Sequence, residues 1–437
     1  MTTDDAVAFA RTASHRRGEE PVATHLRARV LDTLAAATAG YRLPTADILR
    51  TYATDRFADA VDATLLDGTG TRVSLEAATL VNATAANALD IDDGHREVKG
   101  HPAAVVVPAA LAAAEAADAT VGEFLDAVLV GYELGVRAGL AIHATDAVYT
   151  GTGSWGAVGA AAAVGRLRNH DPETLAAALG TAEYHAPRTP IMRGVEKPGM
   201  TKDGIGWGSY AGTAAALLAE RGFTGSGTVF DEATVAVTDS LGEQFHVTEG
   251  YLKPYPCCRW AQPGVAASLD LRERARFDPE AIERVEVETF AEATHLGTRA
   301  PDSPEASEYS YPYPVAVALA RGRFTPADLE ASARGDDAVR RLAERVDLVV
   351  DEGLDDRFPA ECLARVTVET PAETYRSDVR RPPGAREQPL TRAERGEKAR
   401  RLLAPTVDAA AVETLRETLR KPDQPVRALL TPWSDSA

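Results

Sequence analysis

The sequence predicts a mainly α protein, with a large all-α helical domain over residues 1–268, completed by 400–437, and a smaller α+β domain over 269–399. Three observations carry this. Up to Leu271 the apolar residues recur at helical spacing, in runs rich in Ala and Leu. Beyond it, 283–290 and 363–370 alternate with period two, as strands with one wet face do. After a polar Pro/Gly loop at 380–388, helical spacing returns over 390–403 and 408–419.

In chain order, Thr3 or Asp4 caps a first helix running to His15. The stretch 21–39 carries Leu26, Val30, Leu31 and Leu34 at helical spacing and stops at Gly40; 44–56 repeats the pattern. Residues 61–73 form a non-helical insertion with Asp67-Gly68 as its turn. Helices follow over 75–89, 103–117 and 120–142, the last opened by a Thr120/Glu123 capping box. Asp171 caps 172–183. The stretches 156–167 and 208–221 are built of small residues, and Gly222 stops the second. Such helices pack closely and are buried, either in a compact α domain or in a broad helix-mediated dimer interface. Between the two strands, 313–321 and 326–346 read as helical.

At 437 residues the chain has room for two full cores. Its net charge of −18 and pI near 5.0 argue against nucleic acid or an anionic membrane as partner. The long apolar segments are interrupted by Glu115, or by Asp126, Glu133 and Arg137, so none reads as a membrane span. The start, Met1 to Asp5, has no basic region of a signal peptide. The three cysteines, Cys257, Cys258 and Cys362, give no disulfide framework, which suits a reducing, cytoplasmic setting. Six lysines stand against 41 arginines, and the acidic, Lys-poor composition fits a salt-adapted, halophilic cytosol.

Chemistry concentrates at Asp90-Ile91-Asp92-Asp93-Gly94-His95, followed by His101-Pro102, at the C-terminal end of a predicted helix. The helix macrodipole disfavours acids there, so the cluster is either a solvated turn or a site that handles protons. Asp92, Asp93, His95 and His101 are ligand types for a divalent metal, but no HxH or HExxH spacing supports one, and none is expected. Asp90 to Asp93 also reads DxDD, as in terpene cyclases, yet a chain with 6% aromatic residues cannot line a carbocation cavity. Lys99, Lys197, Lys202 and Lys253 stand beside Gly and Pro turns in a chain that otherwise avoids Lys. Gly204-Ile205-Gly206-Trp207-Gly208 lacks the spacing of a phosphate loop, and adjacent Cys257-Cys258 lack that of a zinc knuckle.

Six pieces together resemble the MmgE/PrpD family, which includes 2-methylcitrate dehydratase, cis-aconitate decarboxylase and iminodisuccinate epimerase. They are the Asp90 to Asp93 stretch with His101-Pro102; the Gly156 to Ala162 run; the Lys202 segment leading into 214–225; Lys253-Pro254-Tyr255-Pro256-Cys257-Cys258-Arg259; Tyr311-Pro312-Tyr313; and Pro383-Gly384 with Pro389 through Lys398. The resemblance spans nearly the whole chain. It implies a helical domain with an α+β lid, a homodimer, no cofactor and no metal. By motif match it makes Asp90, His101, Lys202, Lys253 and Tyr313 catalytic, with Asp93, His95, Thr152, Arg259 and Gln262 at the substrate. Three departures stand out: Tyr149, Thr150 and Thr152 where relatives carry a histidine, Gln262 where they carry another, and Gly94 for a threonine.

The two lines meet on proton chemistry beside a carboxylate. The expected function is a metal-independent hydro-lyase acting on a hydroxy-di- or tricarboxylate such as 2-methylcitrate. Lys202, Lys253 and Arg259 would hold the substrate, His101 would act as base with Asp90 orienting it, and Tyr313 or a lysine would protonate the leaving group. The alternatives are a decarboxylase or epimerase of a related acid and a non-catalytic helical oligomer.

Overall fold

The computed structural model describes the whole chain except residues 1, 17–19, 58–59, 147, 233–236, 238 and 435–437. Met1 and the last three residues of 400–437 therefore lie outside the described residues. The helical body follows the sequence pattern closely. Helices span Glu20–Gly40, Pro44–Arg56, Leu75–Asn87, Pro102–Ala116, Val121–Thr145, Thr152–Leu167, Pro172–His185 and Ile205–Ala219. The Thr120/Glu123 box and the Asp171 cap form as expected. The 61–73 insertion is a two-stranded ribbon, Ala63–Thr64 against Arg72–Val73. Among the described residues, no helix is long and apolar enough to cross a membrane.

Small residues set the spacing of the body. A Cβ on Gly159 would lie 2.4 Å from the Gly131 carbonyl oxygen, and one on Gly212 would lie 2.2 Å from that of Ala157. Three helices thus meet backbone to backbone, which only glycine permits. Every residue of Thr152–Leu167 except Arg166 is buried within one chain. The contact faces of Thr152–Leu167 are used inside the protomer, while Ile205–Ala219 leaves Trp207 and Leu218 exposed.

The smaller part is built on a four-stranded sheet in the order 346–350, 284–289, 365–369, 374–376. Arg284–Thr289 runs parallel to Val346–Val350 and antiparallel to Arg365–Glu369, with Val285 opposite both Val346 and Val368. Its residues alternate half-buried and buried, as period two requires. The stretch 326–346 is not one helix. Asp336 caps a new short helix, Asp337–Ala343, and Val346–Val350 becomes an edge strand. β-branched Val346, Val349 and Val350 suit a strand better than a helix end. Gln262–Arg274 packs on the sheet side, against Pro312–Arg321 and Arg365–Glu369, so residue 268 falls within a helix of that part. Arg392–Leu403 returns to Glu20–Gly40, where buried Lys398 meets Asp32 at 2.6 Å.

Candidate active site

Ser74 caps the helix Leu75–Asn87 by accepting from the Ala77 amide. The chain then turns at Asp90, whose φ is +48°. Asp tolerates this left-handed geometry better than most residues, but Lys202 (φ +41°) and Lys99 (φ +49°) do not share that excuse. Non-glycine residues held there cost about 1–3 kcal/mol each and collect at functional sites. Two short pairings then close the site. Asp93–Gly94 pairs with Tyr251–Leu252, which brings Lys253 beside Asp90 across 163 positions of sequence. His95 and Gly100 bridge to each other, and this loop delivers His101.

Lys253 donates to Asp90 Oδ1 at 2.8 Å and lies 3.8 Å from Asp92 Oδ1. Lys202 donates to Glu308 Oε2 at 2.5 Å and to the Asn87 carbonyl at 2.8 Å, and lies 4.0 Å from Asp90. Lys398 donates to the Ile91 carbonyl at 2.6 Å, between the two acids. These buried ammonium groups answer the macrodipole penalty. His101 Nδ1 donates to the Asp93 carbonyl at 2.8 Å and faces Asp92 at 3.2 Å. Its Nε2 lies 3.6 Å from Asp90 and 3.9 Å from Asp203. Thr152 accepts from the His101 amide and donates to Asp203 Oδ2 at 3.1 Å.

Burial alone would raise Asp90, but Lys253, Lys202 and His101 outweigh it and hold the carboxyl well below the usual carboxylate range. Burial opposes a charged His101, yet Asp92, with Asp90, overcomes it and pushes the imidazole up to about 9. Burial raises Asp203, against the pull of His101. It also lifts Glu308 to about 8, even with Lys202 in contact. Near neutral pH the site therefore presents His101 as an imidazolium, beside an Asp203 whose ionisation burial disfavours.

Asp90, His101 and Asp203 open onto a cavity of about 320 Å³. Lys99, Arg96 and Arg259 supply cations on its wall, and Trp260, with Tyr309 and Phe358 of the smaller part, adds aromatic lining. The Lys99 ammonium sits 3.9 Å from the Tyr149 ring centroid, and Arg259 lies 4.1 Å from that of Tyr251.

Several expected site residues stand elsewhere. Tyr313 is buried in the smaller part and donates to the Asp328 carbonyl at 2.5 Å, while Tyr309, just before that helix, lines the cavity. Asp93 is locked behind the site by the Ala103 amide, Tyr132 and Arg29. His95 packs on His246, and burial holds its ring well below the usual histidine value, hence neutral. Gln262 donates to the Tyr255 and Cys257 carbonyls, closing its own loop. Orientation of His101 falls to Asp92 and the Asp93 carbonyl rather than to Asp90, because Asp90 faces Nε2. Lys202 and Lys253 spend their charge on Glu308 and Asp90, and neither is on the cavity wall. Asp203, Glu308 and Tyr309 were not singled out from sequence; the adjacency of Asp203 to Lys202 was the one available signal.

The family model for the MmgE/PrpD N-terminal domain matches residues 5–247, and that for the C-terminal domain matches 255–424. The chain belongs to the MmgE/PrpD family. A cis-aconitate decarboxylase-like protein of Aspergillus oryzae is 26% identical over 394 residues, covering 80% of each chain. The cis-aconitate decarboxylase of Aspergillus terreus is 28% identical over 273 residues, 56% of this chain and 55% of that protein. The chain thus spans just over half the length of this second relative. The MmgE/PrpD family includes lyases, which agrees with a buried proton-handling site beside cavity-wall cations.

Asp90, Asp92 and His101 offer ligand atoms within 4.8 Å of one another, a set that a divalent metal could use. The Lys253 ammonium, in contact with Asp90 and near Asp92, already supplies positive charge there. A metal would have to displace it and discharge His101. Dialysis against a strong chelator at constant salt is therefore expected to leave activity unchanged. Loss of activity restored by one divalent ion would reverse this reading.

Proposed function

We propose that this chain is a hydro-lyase that removes water from a hydroxy-di- or tricarboxylate such as 2-methylcitrate. The observation that carries the reading is the pairing of His101 Nε2 with Asp203 at 3.9 Å on one cavity wall. Dehydration needs an acid for the departing hydroxide and a base for the proton α to a carboxylate. His101, protonated up to about 9, supplies the acid. Asp203, once ionised beside that imidazolium, supplies the base. This exchanges the role first expected of His101, since a group held charged cannot accept a proton. Lys99, Arg96 and Arg259 would take the substrate carboxylates as charge-assisted hydrogen bonds. Enediolate charge would build up next to the imidazolium.

Decarboxylation is the second reading, favoured by the names of the two Aspergillus relatives. It requires only the acid, which protonates the carbanion left by carbon dioxide. A screen of 2-methylcitrate, citrate and cis-aconitate decides between them. Dehydration is expected as new ultraviolet absorbance from 2-methylcitrate or citrate without gas release. Carbon dioxide from cis-aconitate alone would replace the first reading by the second. A homodimer would use exposed apolar side chains such as Ile48, Tyr52, Met200 and, on the small-residue helix Ile205–Ala219, Trp207.

A further inference from the structure

We propose that a second hollow, walled by five arginines, is a binding site for a small oxyanion carrying two or more negative charges. Arg27, Arg392, Arg395, Arg416 and Arg420 converge on a space of about 130 Å³ between the helices Glu20–Gly40, Arg392–Leu403 and Ala411–Thr418. Arg392 and Arg395 are three residues apart on one helix face, while Arg416 lies on the helix Ala411–Thr418 and Arg420 in the turn just past its end. Two carboxylates share the lining, Glu20 and Asp32. Glu20 is engaged by Arg27 at 2.8 Å and Asp32 by Lys398 at 2.6 Å.

This is unusual in a chain with 65 acids and 47 bases. Elsewhere its arginines find carboxylates: Arg284 meets Glu286 and Asp347, and Arg321 meets Asp328 and Asp336. Within the hollow, Arg27 meets Glu20 and Arg416 meets Glu413, each at 2.8 Å; among the described residues, the Arg392 and Arg395 side chains have no such partner, and Arg420 reaches only the Arg416 carbonyl. Burial, together with Arg29, Arg416 and Arg392, makes Arg395 easier to discharge than an ordinary arginine. Three guanidinium groups left without a carboxylate in one hollow are stabilised by an anion that each can grip with two N–H groups. The space is comparable to a cavity of ~150 Å³ that holds one benzene, so it admits phosphate or the head of a small polycarboxylate. It excludes a nucleotide or a polymer.

The hollow is also wired to the catalytic carboxylates. Asp32 in its lining holds Lys398, which donates to the Ile91 carbonyl between Asp90 and Asp92. Leu252 in the same lining precedes Lys253. An anion drawn onto the arginines would lie beside the Asp32–Lys398 pair that braces the acid loop.

Binding calorimetry at constant ionic strength in chloride tests this without reference to any reaction. Inorganic phosphate and tricarballylate are titrated separately into the full chain and into an Arg392→Gln/Arg395→Gln double variant. Neither residue makes an ion pair, so the variant is expected to melt within a few degrees of the parent without ligand. Loss of at least tenfold in affinity for phosphate is the expected result if the physiological ligand bears a phosphate. The same loss for one of two tricarballylate sites would identify a polycarboxylate instead, the other site being the catalytic cavity. If neither anion weakens tenfold, the proposal is overturned. Arg420→Gln, at the exposed rim, gives an independent check and should weaken the same anion by a smaller factor.

Discussion

His101→Asn is expected to lower kcat by ~10²–10⁴-fold, the usual cost of losing a general acid, while a non-reacting substrate analogue binds within a few-fold of the parent. His101 Nδ1 is fixed by the Asp93 carbonyl and Asp92, which leaves Nε2 to face the cavity. Asn can keep the hydrogen bond to the Asp93 carbonyl, but it carries no transferable proton. An interaction made only in the transition state shows in kcat rather than in KM. The pH profile separates loss of the acid from loss of structure. His101 is raised from 6.5 to about 9 by Asp92 and Asp90, against burial. Its charged form therefore stabilises the fold fully below pH 6.5, and that stability is lost as pH rises through about 9. Activity should fail over the same limb. The Asn variant should lose the stability change across this window as well as the rate. A variant with near-normal kcat would remove His101 from the chemistry and leave Asp203 as the next candidate.

The fold was legible where one physical rule dominates. Helical spacing with Gly and Asp caps placed the body to within a few residues, because its helices bury an apolar face, or in Thr152–Leu167 nearly every residue, in the same core. Period two found Arg284–Thr289 and Arg365–Glu369, but not Val346–Val350, which lies at the sheet edge with a half-wet pattern and follows a helix directly. In the site, the acid cluster, His101 and both buried lysines were visible as residue types at odds with their local setting. What could not be read was direction. Asp90, Asp92 and Asp93 are neighbours in sequence, yet one faces the cavity, one holds His101 and one is locked by Arg29 and Tyr132. A left-handed residue at 90 and a two-stranded pairing at 93–94 decide that, and neither has a strong sequence signature. Tyr309 and Tyr313 differ in the same way. They flank the start of one helix, and only its position at Pro312 sends the first toward the cavity and the second into the core.

Lys253→Met is expected to be the most destabilising single change in the site, and to abolish turnover for that reason rather than through lost substrate affinity. Lys253 is 1% exposed and touches Asp90, which is equally buried. Removing one partner of a buried ion pair typically costs about 3–5 kcal/mol, because the other charge is left without compensation. Asp92, 3.8 Å away, loses support as well, although His101 and Asn87 still hold it. The sign of the pH dependence follows. In the parent, Asp90 is depressed, so its contribution is present above its unfolded value near 3.8 and is lost as pH falls through the lower folded value. Without Lys253 the buried carboxyl instead shifts upward, toward the protonated form. The deficit of the variant should then be largest near neutral pH and shrink on acidification, the reverse of an ordinary cavity mutant. Adding Asp90→Asn should restore much of the lost stability, since a neutral amide no longer needs the ammonium group, and the cycle measures their coupling directly. Denaturant titrations at constant salt would read all three. A Lys253→Met chain within about 1 kcal/mol of the parent at neutral pH would show that the pair is not the brace of the acid loop.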